Sequence, residues 1–311
     1  MSPKRVSSMS APGGEAGAAG AAASSAAAGH GSSRGAMTGS AWGPLRREWM
    51  KLLYQRRSYL VWAGAALIPF LIALAFRLAG GPDPNEEGGP QFFSRVFGNG
   101  MYVPLAALAA LLPFLLPMAA AMVAGFMIAG EAELGTMRII LLRPVRRGAL
   151  LLIKWVAAML YLLVGFGFMV ASGLLFGAIF FGLHPMVLFS GTTVGVVHGL
   201  GLIALACLYG LAAMACIVSL ALLISVVTDS SLTALIGTIV IYIVVTVIIQ
   251  FSWFDWLRPW MFPTYFENFV DLFRDPIYWR PILKGLLAFG LWSAGLTALA
   301  YVLFRRKDVL S

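Results

Sequence analysis

VVHGLGLIALACLYGLAAMACIVSLALLISVV, Val196 to Val227, is the stretch whose reading decides the fold. It contains no Asp, Glu, Lys or Arg. An α-helix rises about 1.5 Å per residue, so about 20 apolar residues cross the hydrocarbon core of a bilayer. This run exceeds that length. It is continuous rather than alternating, which selects a spanning helix over a barrel strand. Five other runs read the same way: Tyr59 to Leu78, Tyr102 to Ala129, Leu151 to Phe181, Leu232 to Phe251 and Ile282 to Phe304. Pro113 and Pro117 should kink the second, because each removes a backbone donor.

The composition agrees. Hydrophobic residues make up 60% of the chain and charged residues 11%, with a mean hydropathy of +0.87. Soluble domains carry about 25% charge. The expected fold is an all-α integral membrane protein of six spanning helices, residues 59–304. It is preceded by a disordered Ala/Gly/Ser-rich tail (1–40) and an amphipathic interfacial helix (41–58), and followed by a short cytosolic tail (305–311). The first forty residues lack the apolar core of a signal peptide and cannot bury enough surface to offset their ordering entropy. A later translation start would remove them.

The net charge of +9 marks topology rather than nucleic-acid binding. Six spans put both termini on one side. Arg46, Arg47, Lys51, Arg56 and Arg57 precede the first span. Arg138, Arg143, Arg146, Arg147 and Lys154 lie in or beside the second connection, and Arg305, Arg306 and Lys307 follow the last span. The cations of the opposite side are Arg77, Arg95, Arg258, Arg274, Arg280 and Lys284, balanced by nearby acids. The positive-inside rule places the termini and the second connection in the cytosol of a cell membrane.

Three connecting segments carry further signals. In GPLRREWMKLLYQRR, Gly43 to Arg57, Leu45, Trp49, Leu52 and Leu53 recur at helical spacing opposite Arg46, Arg47, Lys51 and Arg56. That suits a helix lying among anionic headgroups. TDSS, Thr228 to Ser231, reads as a tight turn in which Asp229 or a serine caps the fifth helix. The connection from Ser252 to Pro281 is crowded with aromatic residues, among them Trp253, Trp256, Trp260, Phe262, Phe266, Phe269 and Phe273. These suit short outer helices that re-enter the membrane or lie on its surface.

The polar hinge GEAELGTMRIILLRPVRRG, Gly130 to Gly148, interrupts two apolar runs. Gly130 and Gly135 weaken helix continuity. Thr136 can N-cap a short helix from Met137 to Leu142, with Glu131 and Glu133 ahead of its positive end. Pro144 holds Arg143 out of helical geometry and ends it. The result is a short helix across the membrane surface, able to pass a push to the spans on either side.

The acids, the Gly-Thr step, an arginine, a leucine pair and a Pro followed by Arg resemble the membrane subunit of type-two ATP-binding-cassette (ABC) exporters. The residues that carry the resemblance are Glu131, Glu133, Gly135, Thr136, Arg138, Leu141, Leu142, Pro144, Arg147 and Lys154. LRREWMKLLYQRR is similar to that family's interfacial connecting helix, and FRRKDVLS to its cytosolic end. The resemblance covers roughly Ala41 to Ser311. It implies that two permease subunits pair, as homodimer or heterodimer, and that each docks a separate ABC ATPase. Glu131, Glu133, Gly135, Thr136, Arg138, Pro144 and Arg147 would then belong to the coupling helix seated in that ATPase. ATP and Mg would bind the ATPase. The chain has no phosphate-binding loop of the G-x-x-x-x-G-K-[ST] kind, so no cofactor, metal or catalytic residue is expected on it.

Other readings weigh less. Ion-coupled transport needs charges near the membrane midplane, and the spans hold few. An intramembrane enzyme needs paired catalytic groups that are not evident. A scaffold that anchors an ATPase without transport would carry the same hinge. His184 and His198 have no partner at ligand spacing. Cys207 and Cys216 read as packing or lipid-facing residues. Gly191, Gly195 and Gly199 form two G-x-x-x-G steps that would permit close helix contact. The cargo is not legible.

Overall fold

The computed structural model describes residues 42–54, 56–79, 93–96, 98–133 and 147–306. The tail 1–40 and the residues from 307 onward, each assigned a role above, lie outside them. So does the short helix expected from Met137 to Leu142.

Among the described residues, six helices are long and apolar enough to cross a membrane: Tyr59–Leu78, Leu115–Glu133, Gly148–Phe181, Val196–Val227, Ser231–Ile248 and Trp279–Arg306. They are called spans 1 to 6. The amphipathic helix Trp42–Tyr54 precedes them and packs on span 3. Leu52 is buried, and Leu45, Trp49 and Leu53 are partly buried against the core, while Arg46 and Met50 are exposed. The apolar stripe therefore rests on protein.

Span 4 is the axis of the bundle. In its most apolar window 72% of residues are buried, against 17% for spans 1 and 6. It packs on spans 2, 3, 5 and 6. Its sequence explains why: Ala206, Ala213, Cys216, Ser219 and Ala221 are small and fully or nearly fully buried. In lipid, helices associate through close van der Waals contact, and small residues permit it. Both cysteines are buried in this packing, with Cys216 Sγ 3.4 Å from the Phe289 carbonyl.

The second apolar run differs from the single kinked helix expected over Tyr102 to Ala129. It is two helices, Val103–Leu111 and Leu115–Glu133, with a turn at residues 112–114. The prolines give the reason. Pro117 has no N–H for the Pro113 carbonyl four residues earlier. Tyr242 of span 5 fills that vacancy, its Oη donating to Pro113 O at 2.6 Å. A second correction is at the other end. Gly130 does not break the helix, which continues through Glu133.

The glycine reading is also corrected. Gly191 has φ +85° in the turn of a small hairpin, Met186–Val187 against Thr193–Val194, and Gly195 is the N-cap of span 4. Of the three, Gly199 alone lies inside the helix, against Met101 and Met186. The close approach lies elsewhere. Gly173 and Gly177 of span 3 receive Pro104 and Gly100, and a Cβ on Gly177 would overlap the Gly100 carbonyl. Asn99 ties this corner to the hairpin, donating to His184 O at 2.7 Å and accepting from Met101 N at 3.0 Å.

The aromatic connection is three 3-10 stretches, Ser252–Phe254, Arg258–Trp260 and Phe262–Phe273. Its aromatics divide into two classes. Phe262, Phe266, Phe269 and Phe273 are buried. Phe266 lies 6.1 Å from the Tyr242 ring and 5.9 Å from Phe289 of span 6. Trp253, Trp256 and Trp260 face outward, at 89%, 70% and 72% exposure.

Candidate functional site at the root of the hinge

The last turns of span 2 lead into the hinge, and their two faces are held differently. Residues four apart share a helix face, and residues two apart are turned by about 200°. Gly125, Ala129 and Glu133 therefore form one face; Met127 and Glu131 form the opposite one.

The Met127–Glu131 face meets Lys154 of span 3. The Lys154 side chain is 1% exposed and that of Glu131 is 13% exposed. Its Nζ donates to Met127 O at 2.6 Å and to Glu131 Oε2 at 2.7 Å. Glu48 Oε2 of the amphipathic helix is 3.7 Å away. A buried ammonium is costly unless paired and hydrogen-bonded, and here it has both forms of compensation. One lysine thus joins span 3, span 2 and the amphipathic helix.

The Gly125–Ala129–Glu133 face meets the hairpin formed by spans 4 and 5. Ser225 Oγ accepts from Ala129 N at 2.7 Å and donates to Gly125 O at 2.9 Å. Those are the two groups of one i to i+4 backbone pair, so a span 4 hydroxyl bridges one turn of span 2. Four residues on, Glu133 Oε2 accepts from Ser231 N at 3.2 Å and from Ser231 Oγ at 2.6 Å. Ser231 is the first residue of span 5, and Ser230 is its N-cap. A carboxylate is disfavoured at the carbonyl end of its own helix and favoured at the amino end of another. Glu133 ends span 2 and sits on the start of span 5. Glu133 thus meets the positive end of span 5; the Met137–Leu142 helix, ahead of which both acids were expected, lies outside the described residues.

Beside Lys154, Trp155 points to the other side of span 3. Its Nε1 donates to Ser219 Oγ of span 4 at 2.9 Å. Ser293 Oγ and Thr297 Oγ1 of span 6 lie 2.8 and 3.1 Å from the same oxygen. The Lys154–Trp155 pair therefore joins span 3 to spans 2, 4 and 6 and to the amphipathic helix.

Of the expected coupling residues, the structure brings Glu131 and Glu133 into this network. Gly135, Thr136, Arg138 and Pro144 lie outside the described residues, and Arg147 is described only as the start of the helix leading into span 3. Glu48, Trp155, Ser219, Ser225 and Ser231 were not singled out from the sequence as partners. The i, i+4, i+8 spacing of Gly125, Ala129 and Glu133 was a signal available for one face.

A family model described as ABC-2 family transporter protein matches residues 45–309, from the amphipathic helix to the end of the last span and beyond. The chain belongs to the ABC-2 transporter family. No curated protein matches it. The ABC-2 match makes the chain a multi-pass permease subunit of an ABC transporter, and proteins of this family work with ABC ATPase partners. The six spans and the root of the hinge are thus parts of a transport machine.

Proposed function

We propose that this chain forms the translocation path of an exporter in the cell membrane. The hinge would couple that path to ATP hydrolysis by a separate ATPase subunit. In this reading the hinge and both termini face the cytosol, ATP and Mg are held by the ATPase, and a second permease subunit completes the path. The observation that carries the reading is the double attachment of span 2 at its hinge end: Glu131 to Lys154 and Glu133 to Ser231. A push on the hinge would reach both attachments through one rigid helix end. The charge distribution supports the orientation. The apolar middles of the spans favour ATP as the energy source over an ion gradient.

The test uses the permease and its ATPase reconstituted together in liposomes. Glu133→Ala and Arg138→Ala are each expected to lower permease-dependent ATP hydrolysis several-fold while membrane insertion stays intact. Normal coupling in both variants would remove the hinge from the mechanism. ATP turnover that responds to the hinge without movement of any cargo would favour the anchoring role.

A further inference from the structure

The two acids at the root of the hinge are bonded to different parts of the bundle, and this division has a functional consequence. Glu131 reaches Lys154, and through it span 3 and the amphipathic helix. Glu133 reaches the start of span 5. Span 5 packs on spans 2 and 4. Its contacts with span 2 begin at the hinge end, where Gly125 lets Ala234 and Leu235 approach and Ser225 clamps the neighbouring backbone.

The geometry points to Ser231 as a positioning residue for coupling: the Glu133 carboxylate, seated on the amino end of span 5, carries hinge movement into span 5 separately from the Glu131–Lys154 attachment. This inference rests on the coupling role proposed for the hinge. Its physical basis is the short two-donor grip. Both the backbone N–H and the hydroxyl of Ser231 hold one carboxylate oxygen, and hydrogen bonds to a charged acceptor are the stronger kind. The hydroxyl-clamped end of span 2 and the capped end of span 5 would then tilt together. Span 3 would answer to the other acid.

Ser231→Pro isolates the contact. Ser231 is the first helical residue, where proline is favoured, and Ser230 is already extended at φ −119° and ψ 125°, as a residue before proline must be. The substitution deletes both donors to Glu133 while leaving the helix start intact. The experiment uses the full permease–ATPase complex in nanodiscs. An environment-sensitive dye is placed on a cysteine at Leu232 of span 5 or at Leu152 of span 3, both exposed. Fluorescence is read with and without a non-hydrolysable ATP analogue.

With Ser231 unchanged, both positions are expected to respond to nucleotide. In Ser231→Pro the Leu232 position loses its response and the Leu152 position keeps it; Ser231→Thr, which retains both donors, restores the first. Glu133→Ala should reproduce the loss. An undiminished Leu232 response in Ser231→Pro and Glu133→Ala would overturn the inference, and so would equal loss at both positions, which denies a separate route. Absence of any response at either position with Ser231 and Glu133 unchanged would instead refute the coupling role of the hinge itself.

Discussion

Lys154→Met removes the ammonium that three elements share and keeps a side chain of similar length. Its cost follows from what remains. The Glu131 carboxylate, 13% exposed, loses a 2.7 Å charged partner, and Glu48 loses one at 3.7 Å. A hydrogen bond to a charged group contributes about 1.5–3 kcal/mol. Breaking a fully buried ion pair from one side costs about 3–5 kcal/mol. Glu131 is nearly but not wholly buried, so a destabilisation of about 3 kcal/mol is expected. Glu131→Gln should cost less, about 1–2 kcal/mol, because its amide oxygen still accepts from Nζ and Met127 O is untouched. The informative variant is the double one. With Lys154 and Glu131 both neutral, neither is left as a buried charge facing a missing partner, and the remaining cost is the 3.7 Å contact of Glu48; neutral replacement of both members of a buried pair is often near neutral. The double variant should therefore be more stable than the sum of the single losses by about 2 kcal/mol, within the range for residues in contact. The assay is equilibrium unfolding in mixed detergent–SDS micelles, followed by tryptophan fluorescence. Additive losses, within about 0.5 kcal/mol, would refute the claim that Lys154 and Glu131 act as a pair.

Two further outcomes test the packing that places the site. Tyr242→Phe should cost about 1–2 kcal/mol, since it strips the donor from the Pro113 carbonyl; in a Pro117→Ala background the loss should shrink toward zero, because residue 117 then supplies the missing N–H, and the same unfolding assay reads both. Gly177→Ala should exceed the roughly 1–3 kcal/mol typical of overpacking, because the added carbon meets backbone. Gly167→Ala has no heavy atom within 4 Å of the new carbon and should be stabilising by about 0.5–1 kcal/mol, visible as a higher folded yield.

Apolar length alone made the six spans readable, because a bilayer imposes one physical requirement on every crossing segment. The TDSS turn was legible for the same local reason, and Ser230 is the serine that caps. Long-range contacts were not. Pro113 and Pro117 announced a disturbance in span 2, but nothing adjacent to them in sequence indicated that Tyr242 would supply the missing donor. Gly191, Gly195 and Gly199 matched a helix-packing spacing, yet the first two were needed for a turn and a helix start. Glu131 and Glu133 were grouped at the hinge, and Lys154 was noticed beside them. What the sequence could not show was that the acids face opposite ways. A rotation of about 200° over two residues follows from helix geometry only once the helix is known to continue past Gly130. The serines that receive Glu133 and clamp Ala129 lie 98 and 96 positions away, and their spacing carries no local signature.

The central claim is that the hinge is where the ATPase holds this permease. A photo-reactive amino acid placed at Thr136 or Arg138, in membranes containing the active complex, tests it directly. Irradiation is predicted to join the permease to a polypeptide that mass spectrometry identifies as an ABC ATPase, with the yield changing when nucleotide is added. An active complex in which neither position forms that adduct would contradict the account.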